Sequence, residues 1–191
     1  MNNVILLWRD GRDIMVSYYY YRLFQPRHKS SLQTEQLKKV TGITDPENIQ
    51  ENLPNFIEYC MTTPDYPRFS WPEFVADWVD RRDVLHLSYE RLLTDAAGSL
   101  TEALNFIGEP LPDDDWINEV IEKHSFAAKT RRKPGEEDKQ NFLRKGIAGD
   151  WRNKFSDEAI EVFDHYAGDA LARLGYAPSR SSETVPVKTL T

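Results

Sequence analysis

Apolar and polar positions alternate in blocks along the chain, and the blocks predict strands followed by helices. The continuous apolar run from Val4 to Trp8 is too short for a helix and is typical of a parallel strand buried on both faces. The run from Val84 to Leu87 predicts a second strand. Strands that alternate with helices indicate an α/β fold with a parallel sheet, although two strands are few for such a sheet.

Helices are predicted between and after the two strands. Asp13 is placed to cap the first helix, and Trp71 begins another whose apolar residues lie on one face and are assigned to the core. Residues 26–45 lack clear periodicity and predict a loop or a weak helix, whereas residues 46–61 look helical with a break or kink at Pro54. Three further helices are predicted at about residues 98–107, 114–123 and 157–174.

The length and composition are those of one globular domain. The chain has 191 residues, of which 40% are hydrophobic and 29% charged. We assign residues 1–178 to the domain and residues 179–191, rich in Ser and Thr, to a disordered tail. No stretch approaches the roughly 20 apolar residues of a transmembrane helix. Cys60 is the single cysteine, which excludes an internal disulfide and a cysteine-rich zinc site and favours a reducing, cytoplasmic location.

The charge of the chain is distributed unevenly. Its net value of −7 argues against nucleic-acid binding as the main activity. Residues 127–154, which we call the basic segment, nevertheless hold nine Lys or Arg against four Asp or Glu. A solvated loop and a flap that closes over an anionic ligand both explain this composition, and composition alone does not choose between them.

The end of the first strand carries one candidate anion site. Arg9 follows the strand directly, at the sheet edge where ligands of open α/β sheets bind. The next helix offers free backbone N–H groups and the positive end of its dipole, and Ser17 lies within it. An arginine fork and a hydroxyl can together hold one phosphate. The alternative is that Arg9 pairs with Asp10 or Asp13 and that Ser17 is an ordinary helix residue.

A second candidate anion site lies in the basic segment, between Phe142 and Trp151. Arg144 and Lys145 are adjacent cations, and Gly146 follows them directly. Glycine lets the backbone approach a ligand closely, and the fork of arginine with the point charge of lysine suits a phosphate monoester. A charged surface turn is the alternative.

Four motifs, in family order, resemble those of the cytosolic-type sulfotransferases. The pattern Arg-x-x-x-Asp-x-x-x-Ser-Tyr-Tyr at positions 9–19 resembles the strand-and-helix signature of that family. The pattern Arg-Lys-Gly-x-x-Gly-Asp-Trp at positions 144–151 resembles its C-terminal signature. Between them, the strand that ends in Tyr-Glu at positions 84–90 and the His-Ser-Phe at positions 124–126 resemble two further motifs. Each motif is weak alone, but their conjunction is specific.

The resemblance implies a P-loop-like three-layer fold with a central parallel sheet and flanking helices. It implies a transferase that moves the sulfuryl group of 3′-phosphoadenosine 5′-phosphosulfate (PAPS) to a hydroxyl or amine of a small-molecule acceptor, releasing 3′-phosphoadenosine 5′-phosphate (PAP). The positions that match cofactor-binding residues of the family form two sets, one for the 3′-phosphate (Arg9, Ser17, Arg144, Lys145 and Gly146) and one for the adenine and its surroundings (Tyr89, Ser125, Phe126 and Leu143). Tyr89 and Phe126 have the alternative of being core residues.

Two parts of the family's site have no counterpart in the sequence. The family's 5′-phosphosulfate loop, rich in Lys, Ser, Gly and Thr, precedes the strand of Arg9, and so does its catalytic histidine. The four histidines of this chain fall outside that motif, so no catalytic residue is assigned: His28, His86, His124 and His165. The N-terminal strand and loop are therefore expected to be missing, and the chain alone is expected to be inactive.

Three explanations of the missing parts remain open at this stage. We favour the C-terminal portion of a longer sulfotransferase over a complete but degenerate protein that binds nucleotide, or only folds, without catalysis. A relative of the P-loop kinases would share the sheet plan, but the motif at positions 144–151 argues against it. The family's dimer motif is only partly matched, because Asp157 stands where an apolar residue is expected, and a homodimer stays open.

Overall fold

The fold is described from a computed structural model over residues 3–28, 30–63 and 67–179. Strands β1 (Val4–Trp8) and β2 (Val84–Ser88) pair in parallel. The helices in chain order are α1 (Gly11–Phe24), α2 (Leu32–Thr41), α3 (Ile49–Thr62), α4 (Trp71–Trp78), α5 (Tyr89–Thr94), α6 (Ala96–Ile107), α7 (Asp114–His124), α8 (Phe126–Thr130) and α9 (Asp157–Arg173). A 3₁₀ turn, Asp150–Asn153, precedes α9. The predicted α/β class with a parallel sheet is confirmed.

Strand β1 is covered on one face only, so the predicted burial on both faces is wrong. Leu6 and Trp8 are buried, whereas the side chains of Ile5 and Leu7 are 39% and 52% exposed. Successive side chains of a strand point to opposite faces, and this alternation follows that period. Among the described residues, the other face is covered only at β2, where Leu87, the pairing partner of Leu7, is 6% exposed.

The core holds α1 against α3 and α9, and it fixes the helix that follows β1. Tyr19, Phe56 and Phe163 are completely buried. The rings of Tyr19 and Phe56 meet edge to face with centroids 5.2 Å apart, a favourable aromatic geometry. Trp71 of α4 packs on Phe163 at 6.0 Å, in line with the prediction that the apolar face of this helix belongs to the core. Helix α1 is therefore a rigid element on which a site can be built.

Several predicted boundaries differ from the observed ones. Helix α1 begins at Gly11 with Asp10 as its N-cap, so Asp13 is the third helical residue and not the cap. Pro54 lies inside α3 without breaking it, and residues 26–45 contain α2. The short helices α5 and α8 were absent from the predicted set. From residue 180 onward, the predicted disordered tail lies outside the described residues.

Candidate functional site

The carboxyl ends of the two strands bring Arg9 and Tyr89 together. Each residue directly follows a strand, and parallel strands end at the same edge of a sheet. The guanidinium carbon of Arg9 lies 4.5 Å from the centroid of the Tyr89 ring, within cation–π range. The Nε of Arg9 is buried and has no hydrogen-bond partner among the described residues. Since a buried donor without a partner costs free energy, this atom indicates a missing acceptor.

The alternative pairing of Arg9 with Asp10 is not what the structure shows. Asp10 instead makes a two-oxygen salt bridge with Arg12, whose Nη2 donates to Asp10 Oδ2 at 2.7 Å. The carboxylate of Asp10 also accepts the backbone N–H of Arg12 at 2.9 Å. The sequence suggested that the N–H groups at this helix start were open to a phosphate. That suggestion needs correction, because Asp10 already occupies one of them.

Arg144 and Lys145 are held by one buried carboxylate. Arg144 Nη2 donates to Asp150 Oδ2 at 2.7 Å, and Lys145 Nζ donates to Asp150 Oδ1 at 2.6 Å. Arg144 is 8% exposed and also pairs with Glu137. Burial acts to raise the pKa of Asp150, but the bonds from Lys145 and Arg144 outweigh it and lower the pKa below its ordinary value.

The same contacts bring the basic segment to helix α1. The guanidinium carbon of Arg144 lies 4.5 Å from the centroid of the Tyr20 ring. Ser17, half-buried on α1, stands three residues before Tyr20 and therefore on the same side of the helix. The two cation-bearing motifs, far apart in the sequence, thus meet on α1.

Arg132 shapes the basic segment from within. Its Nη1 donates to the backbone carbonyls of Glu136 and Arg144, each at 2.7 Å. Its Nη2 donates to the carbonyl of Leu143 at 2.5 Å. Leu143 itself is 40% exposed at its side chain. These bonds fold the segment onto itself, although most residues between 127 and 143 are exposed.

Gly146 and Phe126 lie in direct contact. Gly146 has a φ of +67°, and a Cβ at this position would lie 2.4 Å from the Phe126 ring. No other residue type fits here without displacing that ring. Ser125 caps α8, because its side chain accepts the N–H of Ala128 at 3.1 Å. In this bond the hydroxyl only accepts, so its O–H can still donate to a ligand as predicted.

Sequence reasoning missed the acidic residues that connect these groups. Asp13 is 1% exposed, and its carboxylate accepts the backbone N–H of Gly149 at 2.5 Å and of Trp151 at 2.9 Å. Glu90 accepts the N–H of Asp10 at 3.0 Å and the hydroxyl of Tyr176 at 2.9 Å. Asp13 stands inside the first motif, where the sequence predicted a helix cap or a partner of Arg9 and not a bond to residues 149 and 151.

Replacing Asp150 by asparagine will lower the free energy of unfolding at pH 7 by about 1–3 kcal/mol, because a buried charged acceptor is lost. The folded-state pKa of Asp150 is lowered, so its contribution is complete above the unfolded value near 3.8 and disappears as the pH falls through the folded value. Urea unfolding between pH 3 and 7 should therefore show the difference narrowing only below about pH 3.8. The exposed Asp115→Asn is the control. A difference that persists unchanged at the lowest pH contradicts the assignment.

Fold and site together define an α/β protein with a candidate anion site at the carboxyl edge of its parallel strands. The chain matches the family model of the sulfotransferase domain over residues 1–175, and it belongs to the sulfotransferase family. The resemblance stated from the four motifs is confirmed. None of the described helices has the length and apolar character needed to cross a membrane.

Curated relatives agree with this family. The chain is 30% identical over 194 residues to sulfotransferase 2B1 of Rattus norvegicus, which covers 94% of this chain and 51% of the relative. It is 28% identical over 183 residues to sulfotransferase 2A1 of Homo sapiens, covering 90% of this chain and 57% of the relative. The chain therefore spans about half the length of the curated relatives it matches.

Solved structures show the same fold. Mouse sulfotransferase SULT7A1, crystallised with PAP, superimposes with a TM-score of 0.63 at 21% identity, over 88% of this chain and 58% of that one. Retinol dehydratase, in complex with androsterone and PAP, superimposes with a TM-score of 0.56 at 21% identity, over 88% of this chain and 47% of that one.

Proposed function

We propose that this chain forms the part of a sulfotransferase that binds the 3′-phosphate and adenine of PAPS. The observation that carries the proposal is the buried Nε of Arg9, which has no hydrogen-bond partner among the described residues. It lies at the carboxyl edge of the strands, where such folds bind ligands. The solved sulfotransferase and the retinol dehydratase named above were both crystallised with PAP, which supports this choice of ligand.

The residues present fit a phosphate monoester. Arg9 and Ser17 supply a guanidinium and a hydroxyl on one side, and Arg144 and Lys145 supply two cations on the other. Arginine presents five N–H donors, so Arg144 can hold a phosphate with the donors that Asp150 and Glu137 leave available. Anions paired with arginine form short, strong hydrogen bonds. In this arrangement the buried donor of Arg9 gains its acceptor.

Each of the two aromatic rings that we propose to contact the adenine already has an arginine guanidinium over one face. The guanidinium of Arg9 lies over Tyr89, and that of Arg132 lies over Phe126 at 5.1 Å. An adenine ring would therefore use their other faces or their edges, both of which aromatic contacts allow. Leu143 and Gly146 belong to the same region. The carbonyl of Leu143 accepts a hydrogen bond from Arg132, and Gly146 lies against the Phe126 ring. These two aromatic residues thus serve structure and ligand together.

We further propose that this chain alone binds the nucleotide without transferring the sulfuryl group. When bound, PAPS supplies an activated sulfuryl group, and the residues described above hold its far end. His86 is engaged at both ring nitrogens, with Trp8 Nε1 at 2.7 Å from Nδ1 and the carbonyl of Arg81 at 2.7 Å from Nε2. His28 packs against the Tyr21 ring at 4.3 Å. Neither histidine is thereby placed as a general base. The hydroxyl or amine acceptor, a homodimer and a cytoplasmic location stay predictions.

The proposal predicts that the purified chain binds PAP at least about tenfold more tightly than adenosine 5′-phosphate, since the two differ only in the 3′-phosphate. Isothermal titration calorimetry at about 150 mM salt measures both affinities. Arg9→Gln should abolish the preference, whereas Arg81→Gln, which removes an exposed cation paired with Asp83, should keep it. Equal affinity of the unmodified chain for the two nucleotides would refute the proposal.

A further inference from the structure

We propose that Asp13 is a positioning residue that sets the distance between the two halves of the phosphate site. One half consists of Arg9 and Ser17 on β1 and α1, and the other consists of Arg144 and Lys145 in the basic segment. Asp13 does not touch the ligand in this arrangement. The inference rests on the proposed function, because it concerns the same site.

Asp13 joins helix α1 to the turn at residues 149–151. Asp13 is the third residue of α1 and is 1% exposed. Its Oδ2 accepts the N–H of Gly149 at 2.5 Å, and its Oδ1 accepts the N–H of Trp151 at 2.9 Å. Two acceptors on one carboxylate bind two donors of one turn, which fixes the orientation of the turn as well as its distance. Bonds to a charged acceptor are the stronger kind.

Asp150 connects this turn to the two cations. Asp150 lies between the two N–H groups that Asp13 binds, and its carboxylate holds both Arg144 and Lys145. A displacement of this turn therefore moves both cations together. The guanidinium of Arg12 lies 3.9 Å from the centroid of the Trp151 ring and braces the turn from α1 a second time.

Helix α1 itself carries both Asp13 and Ser17. Ser17 follows Asp13 by four residues, which places both on one side of the helix. Arg9 is near enough that its charge acts on Asp13: burial raises the pKa of this carboxyl, and the two backbone bonds and then Arg9 oppose the rise. Asp13 thus stands between Arg9 and Ser17 in sequence and is bonded to the turn that controls the other half.

A purely structural contact would not require a carboxylate at this place. Burying a carboxylate is costly unless it is fully bonded, and a neutral side chain could join a helix to a turn with a smaller desolvation penalty. The carboxylate supplies two acceptors in a fixed plane, and this is the property that holds a turn at a defined angle. Positioning of the cations accounts for that choice of residue.

The test is the variant Asp13→Asn, studied in the purified chain by calorimetry with PAP and adenosine 5′-phosphate. Asparagine keeps the shape but offers one acceptor, and it turns an N–H₂ group towards a backbone N–H. We expect the affinity for PAP to fall about tenfold and the affinity for adenosine 5′-phosphate to change less than about twofold. Asp113→Asn, which changes a helix-capping carboxylate on α7, should leave both affinities unchanged.

A double-variant cycle separates positioning from general destabilisation. If Asp13 acts through the cations, Asp13→Asn will have a smaller effect on PAP binding once Arg144→Gln is present, because only Lys145 then still depends on the turn. Equal losses for the two nucleotides, or additive losses in the cycle, would overturn the inference while the PAP preference of the unmodified chain stands. Loss of that preference in the unmodified chain would overturn both proposals. If Asp13→Asn does not unfold cooperatively, Asp13→Glu replaces it, and an unchanged PAP preference there overturns the inference.

Discussion

Replacing Arg144 by alanine will weaken the binding of PAP roughly 10- to 150-fold, which corresponds to about 1.5–3 kcal/mol for a charged hydrogen bond. Arg144 is 8% exposed, its guanidinium lies over the Tyr20 ring and Asp150 orients it, so the fork is already fixed against helix α1 before a ligand arrives. A preorganised fork loses little conformational entropy on binding. Isothermal titration calorimetry with PAP measures the loss directly.

The control for Arg144 comes from the same basic segment. Lys129 is exposed, and Lys129→Ala removes the same charge from the segment without removing the oriented fork. It should change PAP affinity less than about twofold at about 150 mM salt, where distant exposed charges are screened. Arg144→Lys should recover only part of the affinity, because lysine keeps the charge and loses the fork. Similar losses for Lys129→Ala and Arg144→Ala would mean that net charge alone attracts the nucleotide.

Much of the fold could be predicted because local pattern and tertiary structure agree. The apolar run from Val4 to Trp8 predicted the bounds of β1, because a short apolar stretch between polar residues is typical of a buried strand. The start of α1 was missed by three residues, because Asp10 and Asp13 are both suitable caps and only the bond to Arg12 decides between them. Pro54 is tolerated inside α3 because tertiary packing outweighs a local penalty.

The cations of the site could be predicted from the sequence, but the roles of its carboxylates could not. Arg9 and Arg144 were found because an anion-binding motif requires positive charge. Asp13 and Asp150 belong to the same motifs, but a count of charges treats them as opposing the ligand. Their role depends on contacts between segments that are far apart in the sequence. Asp13 accepts hydrogen bonds from residues 149 and 151, more than a hundred positions away along the chain. Such pairing becomes visible only when the fold brings both segments together.

Replacing Gly146 by alanine will lower the free energy of unfolding by about 2–5 kcal/mol and reduce the PAP preference of the chain. The backbone at this position has a φ of +67°, which costs a non-glycine residue about 1–2 kcal/mol. The new Cβ would also lie 2.4 Å from the Phe126 ring, and overpacking costs a further 1–3 kcal/mol, roughly. Relief of this clash moves the loop that carries Arg144 and Lys145. Urea unfolding and calorimetry measure the two effects.

Gly135→Ala isolates the contribution of the contact with Phe126. Gly135 lies in the same basic segment with a φ of +98°, so alanine meets at least as much backbone strain there, but a Cβ at this position would find no atom within 4 Å. Its loss of stability should stay near about 1–2 kcal/mol, and its PAP preference should be that of the unmodified chain. If the two alanine variants lose equal stability and bind PAP equally well, the close approach of Gly146 to Phe126 has no part in the nucleotide site. A selective loss at Gly146 ties the conformation of this glycine to the placement of the two cations that precede it.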